Sequence, residues 1–233
     1  MAETDSEQIL NITSIRPESE QMFHLRCSAT ADVRAAYIRP GQYAQLYGGA
    51  KAGYYALASA PDDSYLEFLI KNEGEPSTQI CAMRVGDELR AGPISGAGFV
   101  LPEQLQARAA QLHWHLFSMG SGIGPMRALI RFFLGGHLEC AGITLWQCSF
   151  ERSHVPFLSE LRAWEAGGVR VHLCLDRPGQ DFTGNLAENV ARENPDMRSA
   201  VGCWIGSPAF GDSVRQITAQ TGLAAGNLIT NFG

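Results

Sequence analysis

The residues best placed to do chemistry here are glycines. Gly120-Ser121-Gly122-Ile123-Gly124-Pro125 follows an apolar, strand-like run from Leu112 to Phe117 and precedes a helical pattern from Met126 to Leu134. A turn in that setting has a physical use. Glycine accepts positive φ and lets a pyrophosphate approach the backbone, and the start of the helix offers free N–H groups at its positive dipole end. Pro125 suits the first helical position. The alternative is a tight structural turn, and the spacing is not the GxGxxG of dehydrogenases. Ser77 and Thr78 can cap a short helix and leave N–H groups for phosphate, and a plain N-cap is the other reading. Asp176-Arg177 ends the run Val169 to Leu175. In a nucleotide-binding sheet, a carboxylate there bonds ribose hydroxyls and repels a 2′-phosphate, which favours NADH over NADPH. A surface Asp–Arg pair in a turn is the other reading.

Other chemistries lack their residues. His113 and His115 flank Trp114 on one strand face, and no further ligand lies near them in sequence, so no metal site is expected. The six cysteines form no CxxC pair, which disfavours thiolate zinc and iron–sulfur centres. Several sit in apolar stretches as reduced thiols, and the expected location is cytoplasmic. Glu139, Glu151, His154 and Glu160 make no paired-carboxylate motif, and Ser118 and Ser121 do not form the GxSxG elbow of hydrolases. A net charge of -6 argues against a nucleic-acid partner. No apolar run reaches the roughly 18 residues of a membrane span, and the polar start Met1 to Glu7 is not a secretory signal.

Two rhythms organise the 233 residues. In the first half, Phe23–Cys27, Tyr43–Tyr47 and Tyr65–Ile70 read as short strands, with Pro40-Gly41 and Gly48-Gly49 as turns and one short helix over Ser77–Met83. That pattern suggests a small antiparallel barrel. After Gly96-Ala97-Gly98, strands and helices alternate: Ile143–Cys148, Pro156–Trp164, Val169–Leu175, Asn185–Arg192, Val201–Ile205, Ala209–Thr221 and Leu228–Thr230. Such alternation implies a parallel sheet with helices on both faces. The expected fold is α/β with two domains, 1–108 an antiparallel β-barrel and 109–233 a Rossmann-like α/β unit.

Several segments in this order resemble the ferredoxin-NADP reductase superfamily. Ser121-Gly122-Ile123-Gly124-Pro125 resembles its GTGIAP loop, and Arg39-Pro40-Gly41-Gln42-Tyr43 its RPGQY strand. Gly53-Tyr54-Tyr55-Ala56-Leu57-Ala58-Ser59 resembles the flavin-facing RxYSxAS strand, and Gly74 to Thr78 the loop that receives flavin phosphates. Val85 to Leu89 and Gly92-Pro93 follow in the expected places. Gly206-Ser207-Pro208 stands where relatives carry CGPP, and Leu175-Asp176-Arg177-Pro178 is similar to a segment of NADH-using cytochrome b5 reductases.

The resemblance implies an NAD(P)H-dependent flavin oxidoreductase, leaning to NADH. FAD would be the flavin, with FMN the alternative, and a separate protein or small molecule the acceptor. It places Tyr55 against the flavin rings, with Tyr54 beside it, main-chain groups of Ala56 and Leu57 at their edge, and Ser59 closing the strand. Arg39, Gly74, Ser77 and Thr78 complete the flavin site. Gly120, Ser121, Gly122, Ile123, Gly124, Pro125, Asp176, Arg177 and Gly206 receive the nucleotide. Phe232 would cover the flavin until nicotinamide displaces it. A core tyrosine at 55 and a plain terminal plug at 232 are the structural alternatives. Three departures stand out. Gly53 and Ala56 replace the arginine and serine of RxYS, Ile205 replaces the cysteine of CGPP, and Phe150 stands where YGxR has arginine, with Arg152 two positions on. Each loss removes a polar or charge-assisted contact, and together they keep open a fold-retaining binding module or an electron-transfer subunit of a larger complex.

Overall fold

The computed structural model describes residues 7–177 and 183–231. Its first sheet is antiparallel, built from β1 (Gln8–Ser19), β2 (Met22–Ser28), β3 (Tyr43–Gly48), β4 (Lys51–Ala56), β5 (Leu66–Lys71) and β6 (Glu88–Ala91). The spatial order is β4-β3-β6-β1-β2-β5. The two end strands meet again through an antiparallel bridge between Leu57 and Phe68, which curls the sheet into a barrel. Leu10, Leu25, Leu46, Leu57, Phe68 and Leu89 fill its interior. β3 alternates half-buried and buried positions as its sequence alternates, and β5 is buried on both faces except at Lys71.

β1, the longest strand, has no counterpart among the sequence-read strands. Pro17 lies inside it, and its pairing with β2 shifts register between Ile12 and Ser14 and again between Pro17 and Ser19. Bulges erase the period-2 signal, and a proline within a run argues against a strand. The proline is tolerated because β6 pairs with Gln8 to Asn11, and among the described residues the outer edge beyond carries no second ladder.

The second sheet is parallel, in the order β11-β10-β7-β8-β9, from β7 (His113–Met119), β8 (Gly142–Ser149), β9 (Val169–Leu175), β10 (Ala200–Ile205) and β11 (Leu228–Ile229). The helices are numbered along the whole chain. In the first half they are the short α1 (Ala31–Ala35), α2 (Ser77–Cys81) and α3 (Glu103–Gln106). The helices α4 (Ile123–Leu134), α5 (Leu158–Ala166), α6 (Leu186–Glu193) and α7 (Pro208–Gln220) cover the two faces of the parallel sheet. One face packs Trp114, Leu116, Met126 and Ile130; the other packs Phe117, Trp146, Val190 and Val214. The expected α/β, barrel-plus-parallel-sheet class is what the chain adopts.

One boundary differs. α4 begins at Ile123, so Pro125 is its third residue rather than its first, and Gly120–Gly122 forms a single 3-10 turn. Proline's missing N–H costs nothing anywhere in a first turn, where no intrahelical acceptor exists.

Candidate functional site

β7 and β10 are neighbours, while β8 and β9 continue to one side and β11 to the other. Ligands of open α/β sheets bind beyond the carboxyl ends of strands at such a switch point. β7 leads there into Gly120, and β10 into Gly206. Gly120 has φ +55°, which an L side chain rarely adopts. Gly122 is needed for a different reason, because a Cβ there would lie 2.6 Å from the Ile205 carbonyl oxygen. The glycines thus let the loop press against β10 and leave the space in front of it clear.

Two cavities occupy that space. The larger, of about 900 Å³, is lined by Gly120, Ser121, Asp176 and Gly206, with Phe150 and Lys71 at its sides. The smaller, of about 310 Å³, has an aromatic rim of Tyr43, Tyr54 and Tyr55, with Ala56, Leu69 and Asn231 behind. Tyr43 and Tyr54 meet edge to face at 5.5 Å. Ser121, Gly122 and Ile205 line both cavities, so the two meet there. Both volumes lie in the range of small-molecule and cofactor sites, roughly 300–1,000 Å³.

The aromatic rim, and one orphaned atom, fit a flat heteroaromatic ring in the smaller cavity. Asn231 is 3% exposed and donates from Nδ2 to the Gly41 carbonyl at 3.0 Å, yet its buried Oδ1 has no partner among the described residues. A buried acceptor left so is costly unless a ligand N–H reaches it. Burial pushes the Tyr55 phenol up to about 12, consistent with a ring that packs rather than ionises. The ring also fills the place of the missing arginine: a Cβ at Gly53 would sit 3.1 Å from Tyr55 Oη and 3.2 Å from Pro76. Among the described residues lining the smaller cavity, none is cationic.

Of the sequence-predicted residues, Tyr54, Tyr55, Ala56, Ser121, Gly122 and Pro125 line the smaller cavity, and Gly120, Ser121, Gly122, Asp176 and Gly206 the larger. Others lie elsewhere. Arg39 donates to the Ala97 carbonyl at 2.8 Å and staples a barrel turn. The Leu57 N–H is taken by the Gln42 carbonyl at 3.0 Å, and Ser59 Oγ by the Glu67 N–H at 3.1 Å. Both residues are buried. Ser77 and Thr78 do not cap α2, whose N-cap is Pro76; their hydroxyls turn back to the Gly74 carbonyl at 2.8 and 3.1 Å. Ile123 and Gly124 are buried in the first turn of α4. Phe232, like Pro178, lies outside the described residues.

At the far end of the larger cavity, burial, followed by the neighbouring Glu188 charge, raises the pKa of Asp176 above the ordinary carboxylate value. Arg177 turns away from it. Its guanidinium pairs with Glu151 and lies over the Phe150 ring at 5.9 Å. Phe150 itself is 58% exposed and lines the larger cavity.

Sequence reasoning passed over Glu67, Arg127 and Arg131, which hold the two domains together beside these cavities. The signals were present. A lone carboxylate sits in the apolar run Leu66-Glu67-Phe68-Leu69-Ile70, and two arginines sit four apart in an otherwise apolar helix. Charges are buried only when paired, so each pointed to a partner elsewhere.

No family model matches the chain. It is 24% identical over 214 residues to the fruit protein pKIWI502 of Actinidia deliciosa, covering 84% of this chain and 67% of that protein. It is 25% identical over 139 residues to NADH-cytochrome b5 reductase 1 of Pyricularia oryzae, covering 57% of this chain and 43% of that one. The chain therefore spans about two thirds and less than half, respectively, of the length of these relatives. Among solved structures, a ferredoxin NADP+ reductase from Neisseria gonorrhoeae with bound FAD and NADP superposes with a TM-score of 0.78 at 16% identity, over 96% of this chain and 97% of that one.

Proposed function

We propose that this chain, whose two-domain fold is that of the ferredoxin-NADP reductase superfamily, passes electrons from a reduced pyridine nucleotide through a bound flavin to a separate acceptor. The observation that carries this is the meeting of the two cavities at Ser121, Gly122 and Ile205, with an aromatic wall on one side and a glycine loop on the other. The flavin rests mainly on residues 1–108, with Asn231 reaching it from the second domain, and the nucleotide on 109–233. When bound, the two cofactors supply hydride and electron transfer; the protein supplies position and exclusion of water. Tyr55 and Tyr54 flank the flavin rings, and Asn231 Oδ1 accepts one of their N–H groups. Gly120 and Ser121, at the start of the turn that leads into α4, receive the nucleotide's phosphates on backbone N–H groups.

The nucleotide is NADH rather than NADPH. Asp176 bonds the ribose hydroxyls and repels a 2′-phosphate, while Arg177, already paired with Glu151, is not offered to one. Asp176→Ser is expected to lower the kcat/KM preference for NADH over NADPH by about tenfold, the size of one charge-assisted hydrogen bond. An unchanged ratio rejects the role.

The absence of a cation among the described residues lining the smaller cavity favours a second reading, a fold-retaining module that holds no flavin. An absorption spectrum of the freshly purified protein separates the two. Flavin bands that bleach on adding NADH, with FAD or FMN identified by mass after release, support the electron-transfer reading. A colourless protein that gains no NADH oxidation when supplied with flavin overturns it.

A further inference from the structure

We propose that Arg127 is a positioning residue whose guanidinium ties α4 to the barrel and so sets the separation between the flavin and nicotinamide sites. The inference rests on the electron-transfer reading for its consequence, and on geometry for its substance. Arg127 belongs to the helix that the glycine loop opens, and it is only 5% exposed. Its Nη1 donates to the Ala58 carbonyl at 2.7 Å and to Glu67 Oε2 at 2.6 Å, both on the barrel. Its Nε donates to Glu160 at 2.8 Å on α5 of its own domain, and its charge lies 4.7 Å from the Phe157 ring centre. A planar fork with five donors can hold three acceptors in one fixed arrangement; an ammonium cannot.

The barrel side of this clamp is equally fixed. Glu67 is fully buried, and its other oxygen accepts from Arg26 at 2.8 Å and faces His24 Nε2 at 3.2 Å. Ala58 follows Ala56, which lines the smaller cavity, by two residues. On the helix side, Gly124 precedes Arg127 by three residues and so shares its face. A Cβ there would lie 3.3 Å from Leu69 Cβ and 3.4 Å from Ala58 Cβ. The first turn of α4 therefore rests on the strand ends that carry the flavin wall, and Arg127 locks it there. Ser121 and Gly122, where the two cavities meet, are the residues immediately before that turn.

Hydride transfer responds steeply to such a separation, since a displacement near 1 Å can cost about a hundredfold in rate. Binding of either cofactor alone depends on it far less, because the flavin keeps its barrel wall of Tyr54 and Tyr55 and the nucleotide keeps its own glycine loop. The test compares wild type with Glu67→Leu/Arg127→Met, which removes the clamp and leaves no unpaired buried charge, and with Arg127→Lys, which keeps charge without the fork. Rapid mixing with NADH is expected to show flavin reduction slowed about 10–100-fold in the double variant, with the dissociation constants of flavin and of NAD+ within about threefold of wild type. Arg127→Lys falls between the two, and it is read in the same way should the double variant not fold. Reduction within about twofold of wild type overturns the proposal. Hydrogen exchange supplies a readout independent of turnover. Amides of 56–58 and 120–124 are expected to exchange at least about tenfold faster in the variant. Should wild type take up no flavin, the electron-transfer reading fails by itself; unchanged exchange in both segments then overturns the clamp.

Discussion

Lowering the pH from 6.5 to 4.5 is expected to cost the folded protein about 2–3 kcal/mol through His115 alone, and His115→Gln to abolish that share of the loss. His115 is 3% exposed, on the face of β7 that packs Phe117 and Trp146, with His113 at 4.8 Å. Burial pushes its imidazole down to about 3, and the His113, Arg170 and His172 charges push the same way. In the unfolded chain it takes a proton near 6.5. Between those two values the unfolded state binds more protons than the folded one, so stability falls as pH drops through the window, by about 1.4 kcal/mol per unit. The carboxylates are shared by both proteins and cancel in the comparison. Glu67 is held at about 2, so its contribution is present above 4.5 and lost only below. His113 and His172, also lowered, remain in both proteins and cancel. Glutamine keeps an acceptor for the Trp146 indole N–H, which His115 Nδ1 accepts at 3.3 Å. Urea unfolding of both proteins at the two pH values decides. If the variant loses as much stability as wild type on acidification, within about 1 kcal/mol, His115 is not the group responsible.

Most of the second domain was legible because parallel sheets announce themselves. The strands of such a sheet are largely apolar and are set off from the helices by glycines and polar turns, so Val169–Leu175 coincides with β9 and the remaining elements differ by a few residues at most. The barrel was less legible. Its strands are half exposed and bent, and β1 carries a proline and two register shifts, so its periodicity is broken where it is longest. α1, five residues capped by Thr30, is too short for a helical period to register. The start of α4 was displaced for another reason. Gly122 and Gly124 score as turn formers, whereas packing against β10 and the barrel holds both in helical or near-helical backbone.

The site divides along the same line. Residues that act through backbone, such as Gly120 and Gly122, are visible in sequence because only glycine can serve. Residues that act through side chains depend on where the chain folds back, which sequence spacing does not carry. Tyr43 joins Tyr54 and Tyr55 only because β3 and β4 pair as they do, setting Gln45 opposite Tyr54 and Tyr43 opposite Ala56. Asn231 reaches the cavity because the tail returns to the Gly41 turn, 190 residues away in sequence. Arg39 illustrates the converse. Its motif drew it toward the flavin, yet its guanidinium is spent on the Ala97 carbonyl.

Glu67→Leu is expected to destabilise the protein by about 3–5 kcal/mol, and Glu67→Leu/Arg127→Met to recover most of that loss. The carboxylate is fully buried, which alone would raise its pKa; the His24 ring at 3.2 Å and the charge and hydrogen bond of Arg127 outweigh burial and hold it at about 2. That depression is itself stability, present above pH 4.5 and lost as pH falls toward 2, worth about 3 kcal/mol at full extent. Removing the anion strands its partners unequally. Arg26 is 41% exposed at its side chain and can turn to water, and Arg131 keeps Asp63 at 2.7 Å. Arg127, 6% exposed at its side chain, can do neither and is left with Glu160 and one carbonyl for a full buried charge. Removing both charges frees Glu160, which is 29% exposed and rehydrates readily. Replacing a buried pair by apolar side chains is often neutral, whereas breaking it is not. Urea midpoints of the single and double variants therefore separate two accounts of this network. A single variant that loses less than about 1 kcal/mol would mean that the barrel and α4 are held by apolar packing, with the charges as passengers. A large loss in the single variant, restored in the double, would mean that the pair contributes little net stability and that its consequence is the fixed placement of α4 against the aromatic wall.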